Sequence, residues 1–458
     1  MNSRSAIAIF DIGKTNKKIF LFDENYKIVK EKSVQLPETF DDDGEPCEDV
    51  EALKNWVHHE RLELSSFSEY KIKAINFSAY GASLVHLSPE GKPVCPLYNY
   101  LKKYPDVLQN QLYKKYGGRE TFSSVTASPS MGSLNSGLQL YRIKYEKPDL
   151  LNQIRYSLHL PQWIAYLFTN KPYSDITSIG CHTAMWDFRR NQYHEWLFNE
   201  ELIDKLAPIF PSDNTTQIDL NGQSTVIGVG LHDSSSALIP YLASYRESFV
   251  LLSTGTWCIS LNPFDQSPLT VEELLQDCLC YMDYRGKPVK ASRLFAGYEH
   301  EKETARIAEY FYCQRDYYKN LQFEADIVSK LKMQNESSKK DIKVGKGGDR
   351  FLFAQRDLSI FTGYSEAYHQ LMLDLVEQQV VSTNLVLRDV RRIFVDGGFS
   401  KNAIYMNLLA LAFPDLKVYA TDVPEGSAIG AAIPIHDKWN DHPIPADFAG
   451  LKHYECLS

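Results

Sequence analysis

The stretch AIFDIGKTNKKIFLFD, residues 8–23, decides how the rest of the chain is interpreted. Its first eight letters have the spacing of a nucleotide-binding P-loop: a small residue, four others, then Gly-Lys-Thr. A P-loop is rich in glycine and leads directly into a helix, whereas the intervening residues here, Ile9–Ile12, are mostly bulky and apolar. The residues from Lys18 to Asp23 then alternate as in a strand. The stretch therefore predicts two strands joined by a tight turn at 13–16, and not a P-loop.

A turn that contains Gly, Thr and Lys is nevertheless suited to holding a phosphate group. Gly13 lets the backbone approach a ligand closely, and hydroxyl and ammonium groups can donate hydrogen bonds to it. Asp11, at the end of the preceding strand, is placed to hold a hydrated magnesium ion. On these residues alone, an ordinary hairpin with a solvated basic turn stays open as the alternative.

The composition is that of a well-packed soluble protein. Its 458 residues predict two domains, or three, and its hydrophobic content is 44%. The net charge of −9 argues against a nucleic-acid-binding surface. The apolar run AIAIF is too short for a signal peptide, and no run is long enough to span a membrane. We therefore expect no nucleic-acid partner and no membrane contact.

The eight cysteines are scattered along the chain, without a C-x-x-C pair or a histidine at zinc-binding spacing. This usage predicts reduced thiols in the cytoplasm. The tightest pair, Cys278 and Cys280, is interpreted as incidental and not as a metal site.

The opening architecture recurs in the second half of the chain. SFVLLSTGTWCISLNPF, residues 248–264, again reads as strand, glycine turn and strand, and RRIFVDGGFSKNAIYMNLLALAF, residues 391–413, reads as strand, Gly-Gly turn and helix. Residues 6–81 read as three strands, a helix and a strand, as a ribonuclease-H-like unit begins. Two such hairpins, facing each other across a cleft, could grip the phosphates of one nucleotide.

Two other segments give weaker predictions. Residues 83–100 read as a strand, a turn and a further strand. Residues 314–350 are charged and polar, and they predict a solvated helix and a flexible loop with no assignable chemistry.

The order of these pieces resembles that of the FGGY carbohydrate kinases, over nearly the whole chain. The resemblance implies two α/β domains of ribonuclease-H-like (sugar-kinase, actin and heat-shock-chaperone ATPase) fold flanking a central cleft, residues 1–246 and 247–458. DIGKTNKK, STGTWCIS and VDGGFSKN resemble the family's two phosphate motifs and its adenosine motif, and EGSAIGAAI resembles its closing helix. The residues thereby implied in ATP binding are Gly13, Lys14, Thr15, Asn16, Lys18, Thr254, Gly255, Thr256, Gly397, Gly398 and Asn402.

The first motif departs from the family pattern at two positions. The family usually has Arg where Lys18 stands and a small residue where Lys14 stands. Lys14 either adds a phosphate contact or points to solvent. Asp11 is the implied magnesium-holding residue, and ATP and Mg²⁺ are the implied cofactors.

The catalytic prediction rests on GLHDSSSA, residues 230–237. Family members carry a Gly/His-Asp step here, whose Asp takes a proton from the sugar hydroxyl, and this implies Asp233 as the base. The alternative is that Asp233 caps the helix that follows. His232 either contacts sugar hydroxyls or makes a structural hydrogen bond.

The implied substrate is a small sugar, bound by Tyr80, Gly81, His232, Asp233 and Ser234. The combination of motifs resembles the rhamnulokinases and fuculokinases most, which phosphorylate 6-deoxy-ketohexoses, although Tyr80 stands where they usually have Trp. Xylulose and ribulose remain alternatives. An actin-like or chaperone-like ATPase and a catalytically silent sugar sensor are the rival classes. The sequence leaves the oligomeric state open, with a homodimer among the alternatives.

Overall fold

Residues 8–23 form the hairpin that their sequence predicts. In the computed structural model, β1 (Arg4–Ile12) pairs antiparallel with β2 (Lys17–Asp23), and Ile12 lies opposite Lys17. The N–H of Gly13 donates to the carbonyl oxygen of Asn16 at 2.9 Å and closes the turn. A strand, and not a helix, follows the turn, so this stretch is not a P-loop.

The structure describes residues 4–66, 69–338, 352–421, 423, 425–446, 448 and 450–455. After β2, the N-terminal elements are β3 (Ile28–Val34), β4 (Glu38–Phe40), β5 (Pro46–Glu48), α1 (Val50–Ser65), β6 (Tyr70–Ala79), β7 (Leu84–Leu87), α2 (Asp106–Lys115), α3 (Arg119–Val125), α4 (Ser136–Glu146), α5 (Pro148–Gln153), β8 (Tyr156–His159), α6 (Leu160–Thr169), α7 (Ile176–Ile179), β9 (Trp186–Asp187), β10 (Gln192–Tyr193), α8 (Glu195–Asn199), β11 (Thr215–Leu220), β12 (Gln223–Gly228), β13 (Leu231–His232) and α9 (Asp233–Ser244).

The C-terminal elements begin directly afterwards. They are β14 (Phe249–Thr254), β15 (Cys258–Asn262), α10 (Val271–Leu275), β16 (Cys278–Met282), β17 (Pro288–Leu294), α11 (Ala296–Tyr310), α12 (Ala325–Ser338), α13 (Tyr364–Leu387), β18 (Arg392–Gly397), α14 (Ala403–Ala412), β19 (Lys417–Ala420), α15 (Gly426–Ala432) and β20 (Lys452–Tyr454). Short 3-10 helices lie at Gly132–Leu134, Ile203–Lys205, Tyr317–Asn320, Leu352–Gln355, Leu358–Ile360, Gly398–Lys401 and His436–Lys438.

Two seven-stranded sheets organise these elements. The first has the order β11-β12-β6-β1-β2-β3, with β13 beside β6, and the second has the order β16-β17-β15-β14-β18-β19-β20. In each sheet an antiparallel hairpin, β1–β2 or β14–β15, is joined on its other side by a parallel strand, β6 or β18. The two sheets thus repeat the ribonuclease-H-like arrangement, and this fold prediction is confirmed.

Strand ends determine where functional side chains gather. β6 and β13 both run parallel to β1's direction in the first sheet, with Asp11 opposite Ser78 and Leu231 opposite Ser78 on the other side. The carboxyl ends of parallel strands meet at one edge of a sheet, and ligands commonly bind there. The same holds in the second sheet, where Thr254 lies opposite Gly397.

The two sheet-bearing domains contact each other through α9 and α15. The amide of Asn76 in β6 donates to the carbonyl oxygen of Ala431 at 2.7 Å, and Ser236 Oγ donates to the carbonyl oxygen of Ser427 at 2.7 Å. Gly430 lies so close that a Cβ there would be 1.8 Å from the carbonyl oxygen of Ser236. The closing helix of the C-terminal domain is therefore packed onto the first sheet.

Two sequence predictions need correction. Residues 93–100 form no strand: β7 pairs with β8 in a separate two-stranded sheet, and Pro93 and Pro96 lack the N–H that a ladder needs. Helix α12 is not wholly solvated, since it buries Val328 and Leu331 in the C-terminal core. Residues 339–350 of the same polar segment lie outside the described residues. Among the described helices, none is both long enough and apolar enough to cross a membrane.

Candidate active site

Two aspartates meet at the edge of the first sheet. Asp11 lies next to the end of β1, and Asp233 follows β13 as the first residue of α9. They are close enough for the negative charge of Asp233 to raise the pKa of Asp11. A paired set of carboxylates at the carboxyl ends of strands is a common basis for metal binding and proton transfer.

Asp233 is partly exposed while most of its surroundings are protein. Its side chain is 37% exposed, and its Oδ1 accepts a hydrogen bond from the N–H of Ser234 at 2.6 Å. Burial raises the pKa of Asp233 to about 6, although the hydrogen bonds from Ser234 lower it. The N-cap position of α9 belongs to His232, so Asp233 stands in the first turn and does not cap the helix. Its carboxylate is ionised at neutral pH and able to accept a proton.

Asp11 is tied to the C-terminal domain. Ser427 Oγ, at the start of α15, donates to Asp11 Oδ2 at 2.9 Å. Burial raises the pKa of Asp11 to about 6, and the charge of Asp233 adds to this rise. In the described part of the chain, no lysine or arginine pairs with either aspartate. Two uncompensated carboxylates in one place fit a divalent cation with oxygen ligands, such as a hydrated Mg²⁺.

The two lysines predicted to bind phosphate in the first motif are both paired with carboxylates. Lys14 Nζ lies 3.2 Å from Glu38 Oε1, and Lys18 Nζ lies 2.9 Å from Glu425 Oε1. Thr15 and Asn16, at the tip of the turn, are exposed. The turn itself is therefore open to a ligand, while both predicted lysines already have carboxylate partners.

The second phosphate motif and the adenosine motif border a common cavity of about 620 Å³. Five of the predicted nucleotide residues line it: Thr254, Gly255, Thr256, Gly398 and Asn402. Gly397 ends β18 beside Thr254 with a positive φ of 87°, and a Cβ there would lie 2.0 Å from the carbonyl oxygen of Thr254. The volume falls within the range of about 300–1,000 Å³ that is typical of small-molecule sites.

The side chains of two of these residues, Thr254 and Asn402, make hydrogen bonds within the protein. Thr254 Oγ1 donates to the carbonyl oxygen of Asp396 and accepts from the N–H of Phe399 at 3.0 Å. Asn402 Oδ1 accepts from the N–H of Tyr405 at 3.0 Å and so caps α14. Gly255 and Thr256 are exposed, and they present backbone and hydroxyl groups to the cavity.

His232 is enclosed on several sides. Its side chain is 5% exposed, and its Nε2 lies 3.4 Å from Asp233 Oδ1 and 3.3 Å from Cys181 Sγ. A Cβ on Gly81 would lie 2.6 Å from this Nε2, so the glycine is needed for the close approach of the imidazole. Burial lowers the pKa of His232 to about 4, and the ring is neutral at pH 7. Of the two roles left open for His232, this geometry favours the structural one.

Ser234 and Tyr80, which are also predicted to bind the sugar, differ in their surroundings. Ser234 Oγ donates to Asp233 Oδ1 at 3.2 Å and so lies beside that carboxylate. Tyr80 is buried, and its hydroxyl donates to Glu48 Oε2. The hydroxyl of Tyr80 is therefore engaged in a buried hydrogen bond.

Several residues at the site were not found by sequence reasoning. Tyr100 is close enough to Asp233 for that charge to add to the rise that burial causes in its pKa. Other missed residues line the nucleotide cavity: Gly297, His300, Tyr318, Leu321 and Gln322. Three of these belong to the polar segment or its approach, whose periodicity gave no sign of a binding surface.

Comparison with known proteins identifies the family. The model of the N-terminal domain of the FGGY family of carbohydrate kinases matches residues 6–230, and the model of the FGGY C-terminal domain matches residues 246–335. The two matches together cover more than half of the chain. This protein belongs to the FGGY family of carbohydrate kinases.

Individual relatives are distant. A rhamnulokinase from Halalkalibacterium halodurans is 23% identical over 270 residues, which are 54% of this chain and 52% of that protein. The match thus spans about half the length of this curated relative.

Two solved structures share the fold over nearly their whole length. One is a carbohydrate kinase from Novosphingobium aromaticivorans, with a TM-score of 0.79, 21% identity, and coverage of 100% of this chain and 95% of that one. The other is a ligand-bound xylulose kinase from Lactobacillus acidophilus, with a TM-score of 0.76, 17% identity, and coverage of 98% and 94%.

Proposed function

We propose that this FGGY protein transfers the γ-phosphoryl group of ATP to a hydroxyl group of a ketose. The observation that carries the proposal is the position of Asp233, a partly exposed carboxylate close to Asp11 with a pKa raised to about 6. A base whose pKa lies just below the working pH is ionised and still accepts a proton effectively. The two domains, divided as 1–246 and 247–458, supply the sugar side and the nucleotide side of the reaction.

Asp233 acts on the sugar in this proposal. Its carboxylate accepts the proton of the attacking hydroxyl as the phosphoryl group is transferred, so the developing alkoxide is never free. The N–H of Ser234 and the start of α9 hold the carboxylate in place. Tyr100 lies close enough to sense the charge of Asp233, and closure of the domains would exclude water.

Asp11 holds the hydrated magnesium ion in the proposal, together with the ATP phosphates. When bound there, the ion would neutralise charge on the phosphates. Ser427 orients the Asp11 carboxylate through its hydrogen bond of 2.9 Å.

The nucleotide lies along the C-terminal cavity, with its phosphates directed to the two glycine turns. Thr256 offers a hydroxyl group, and Lys18 offers a positive charge to the transferring group. Lys18 Nζ is held at 2.9 Å by Glu425, so the phosphates must share the lysine with that carboxylate or displace it.

The preferred ketose is a 6-deoxy-ketohexose such as L-rhamnulose or L-fuculose. The resemblance to rhamnulokinases supports this choice, while the xylulose kinase of similar fold keeps a pentulose as the second candidate. An ATPase without sugar chemistry is the third candidate. The seven described cysteines are free, which is consistent with the proposed cytoplasmic location.

The test is ADP release in a coupled assay with ATP, Mg²⁺ and a panel of sugars. The panel contains L-rhamnulose, L-fuculose, L-ribulose, D-xylulose and D-ribulose, with glycerol as an outlier. We expect ADP release that depends on one ketose and stops when Mg²⁺ is chelated. ADP release without sugar, unchanged by the whole panel, would refute the kinase proposal and favour the ATPase class.

A further inference from the structure

A buried lysine lies beneath the first phosphate turn. Lys17, the first residue of β2, is 3% exposed, and its Nζ donates to the carbonyl oxygen of Lys14 at 3.0 Å. The same Nζ lies 2.6 Å from Glu48 Oε1. The ammonium group thus joins the backbone of the turn to a carboxylate from β5.

Glu48 continues the contact towards the sugar side. Glu48 is 4% exposed, and its Oε2 accepts a hydrogen bond from the hydroxyl of Tyr80. Its backbone forms an isolated β-bridge with Leu97. The ring of Tyr80 lies 6.0 Å from the ring of Tyr100, measured between centroids. Tyr100 is the side chain that stands near Asp233.

A pair of charges so deeply buried is costly to desolvate, and replacing such a pair by neutral groups is often harmless to stability. A contribution to stability is therefore a weak explanation for the presence of the Lys17–Glu48 pair. Its location gives a better one: it connects the turn at 13–16 with Tyr80, which follows β6 and is itself linked to the turn by its N–H bond to Ile12 at 3.1 Å.

We infer that Lys17 and Glu48 are positioning residues, which fix the first phosphate turn through the carbonyl of Lys14 and fix the Tyr80–Tyr100 wall of the sugar pocket. The inference rests on the proposed function of both regions. Neither residue touches substrate; each acts through the groups that it holds. Loosening the pair displaces both substrates and leaves the proton chemistry of Asp233 as it is.

The decisive variant is Lys17→Met with Glu48→Gln, which removes both charges and leaves an acceptor for the Tyr80 hydroxyl. We expect it to fold with a Tm close to that of the parent. Because both binding surfaces lose a support, we expect about a tenfold rise in the Kd of MgATP and in the KM of the sugar. Displacements near 1 Å can cost about 100-fold in rate, so kcat should fall as well. The pH midpoint of kcat/KM should stay where the parent has it.

Two further variants control for nonspecific damage. Lys17→Arg keeps donors for Glu48 and the turn, and it should recover most of the affinity. Lys290→Met with Glu273→Gln removes an ion pair between a buried lysine and a partly buried glutamate in the C-terminal domain, whose atoms are 3.0 Å apart, and it should leave both constants unchanged. Equal Kd and KM values in the Lys17/Glu48 double variant and the parent would overturn the inference.

If the double variant does not fold, Tyr80→Phe takes its place, since it removes one hydrogen bond and no charge. A several-fold rise in both the Kd of MgATP and the KM of the sugar supports the inference, and unchanged constants overturn it. The measurements also separate the two proposals. A parent that binds MgATP and phosphorylates no sugar refutes the proposed function, while the Kd comparison still decides on Lys17 and Glu48.

Discussion

Replacing Asp233 by Asn separates a catalytic base from a residue that only begins a helix. Asn keeps an oxygen that can accept the N–H of Ser234, so the start of α9 should be preserved. It cannot take a proton from a sugar hydroxyl. A positioned general base contributes about 10²–10⁴-fold, so we expect kcat to fall by that factor with the Kd of MgATP nearly unchanged.

The pH dependence gives a second measure of the same residue. With a pKa of about 6, Asp233 is about 97% ionised at pH 7.5 and about 9% ionised at pH 5. We expect kcat/KM of the parent to fall about tenfold between these pH values. Since Asp11 also has a pKa raised to about 6, the midpoint belongs to the pair and not to one residue. Because Asp11 still titrates, the Asp233→Asn variant should keep at most a shallower acidic limb, which belongs to Asp11.

As the pH rises through about 6, the contribution of Asp233 to stability should fall while the activity rises. The pKa of Asp233 is raised above its ordinary value of 3.8, so its contribution to stability is present below that pH and is lost as the pH rises through about 6. Asp233→Asn should therefore have a Tm at pH 8 no lower than that of the parent.

The assay is coupled ADP release with the preferred ketose, alongside thermal denaturation of each variant. Asp49→Asn is the matched control, because Asp49 caps α1 through the N–H of Ala52 at 2.9 Å and lies outside the proposed chemistry. A folded Asp233→Asn protein that keeps more than about a tenth of the parent kcat would refute the assignment, since even a modest base supplies about 100-fold.

Three other substitutions test the surrounding structure. Gly430→Ala would place a Cβ 1.8 Å from the Ser236 carbonyl oxygen, so thermal denaturation should show a loss of at least about 1–3 kcal/mol; an unchanged Tm would contradict the tight α9–α15 contact. Glu200 is 1% exposed, and although burial opposes it, hydrogen bonds from two lysines and two tyrosines lower its pKa to about 2. The ionised carboxylate stabilises the fold above pH 4.5, and this stabilisation is lost as the pH falls towards 2. Denaturant unfolding should therefore show that Glu200→Gln lowers the free energy of unfolding by no more than about 3 kcal/mol at pH 7, and by less at pH 3. Lys18→Met should raise the KM of ATP and lower kcat about tenfold or more, as one charge-assisted contact to the phosphates is lost; an unchanged KM and kcat would mean that Lys18 serves only its bond to Glu425.

The fold could be predicted from sequence because its decisive signals are local. The hairpin at 8–23 alternates, the glycine turns recur, and β13 leads directly into α9. Local patterns of this kind fix an element's type, and the order of the elements then leaves few topologies.

The buried contacts behind the site could not be predicted in the same way. Lys17 follows a turn at the start of a strand, where a lysine is usually solvated, and its partner Glu48 lies in an acidic stretch that reads as surface. Only the folding of the β4–β5 hairpin over the first turn brings them together. The sequence also could not show what the side chains of Thr254 and Asn402 contact. The same side chains can bind a ligand or make hydrogen bonds within the protein, as they do here.

The raised pKa of Asp11 is connected with the way the domains meet. Ser427 from the closing helix reaches Asp11, and Glu425, just before that helix, reaches Lys18, so the C-terminal domain covers the first phosphate motif with both a hydrogen-bond donor and a carboxylate. Burial under this cover makes the ionised form of Asp11 costly. A magnesium ion at Asp11 would remove that cost, because a nearby positive charge favours the ionised carboxylate. Binding of MgATP should consequently release protons near pH 6, and calorimetry in buffers of different ionisation enthalpy measures that release directly. An MgATP binding enthalpy independent of the buffer at pH 6 would show that the ion does not reach these carboxylates.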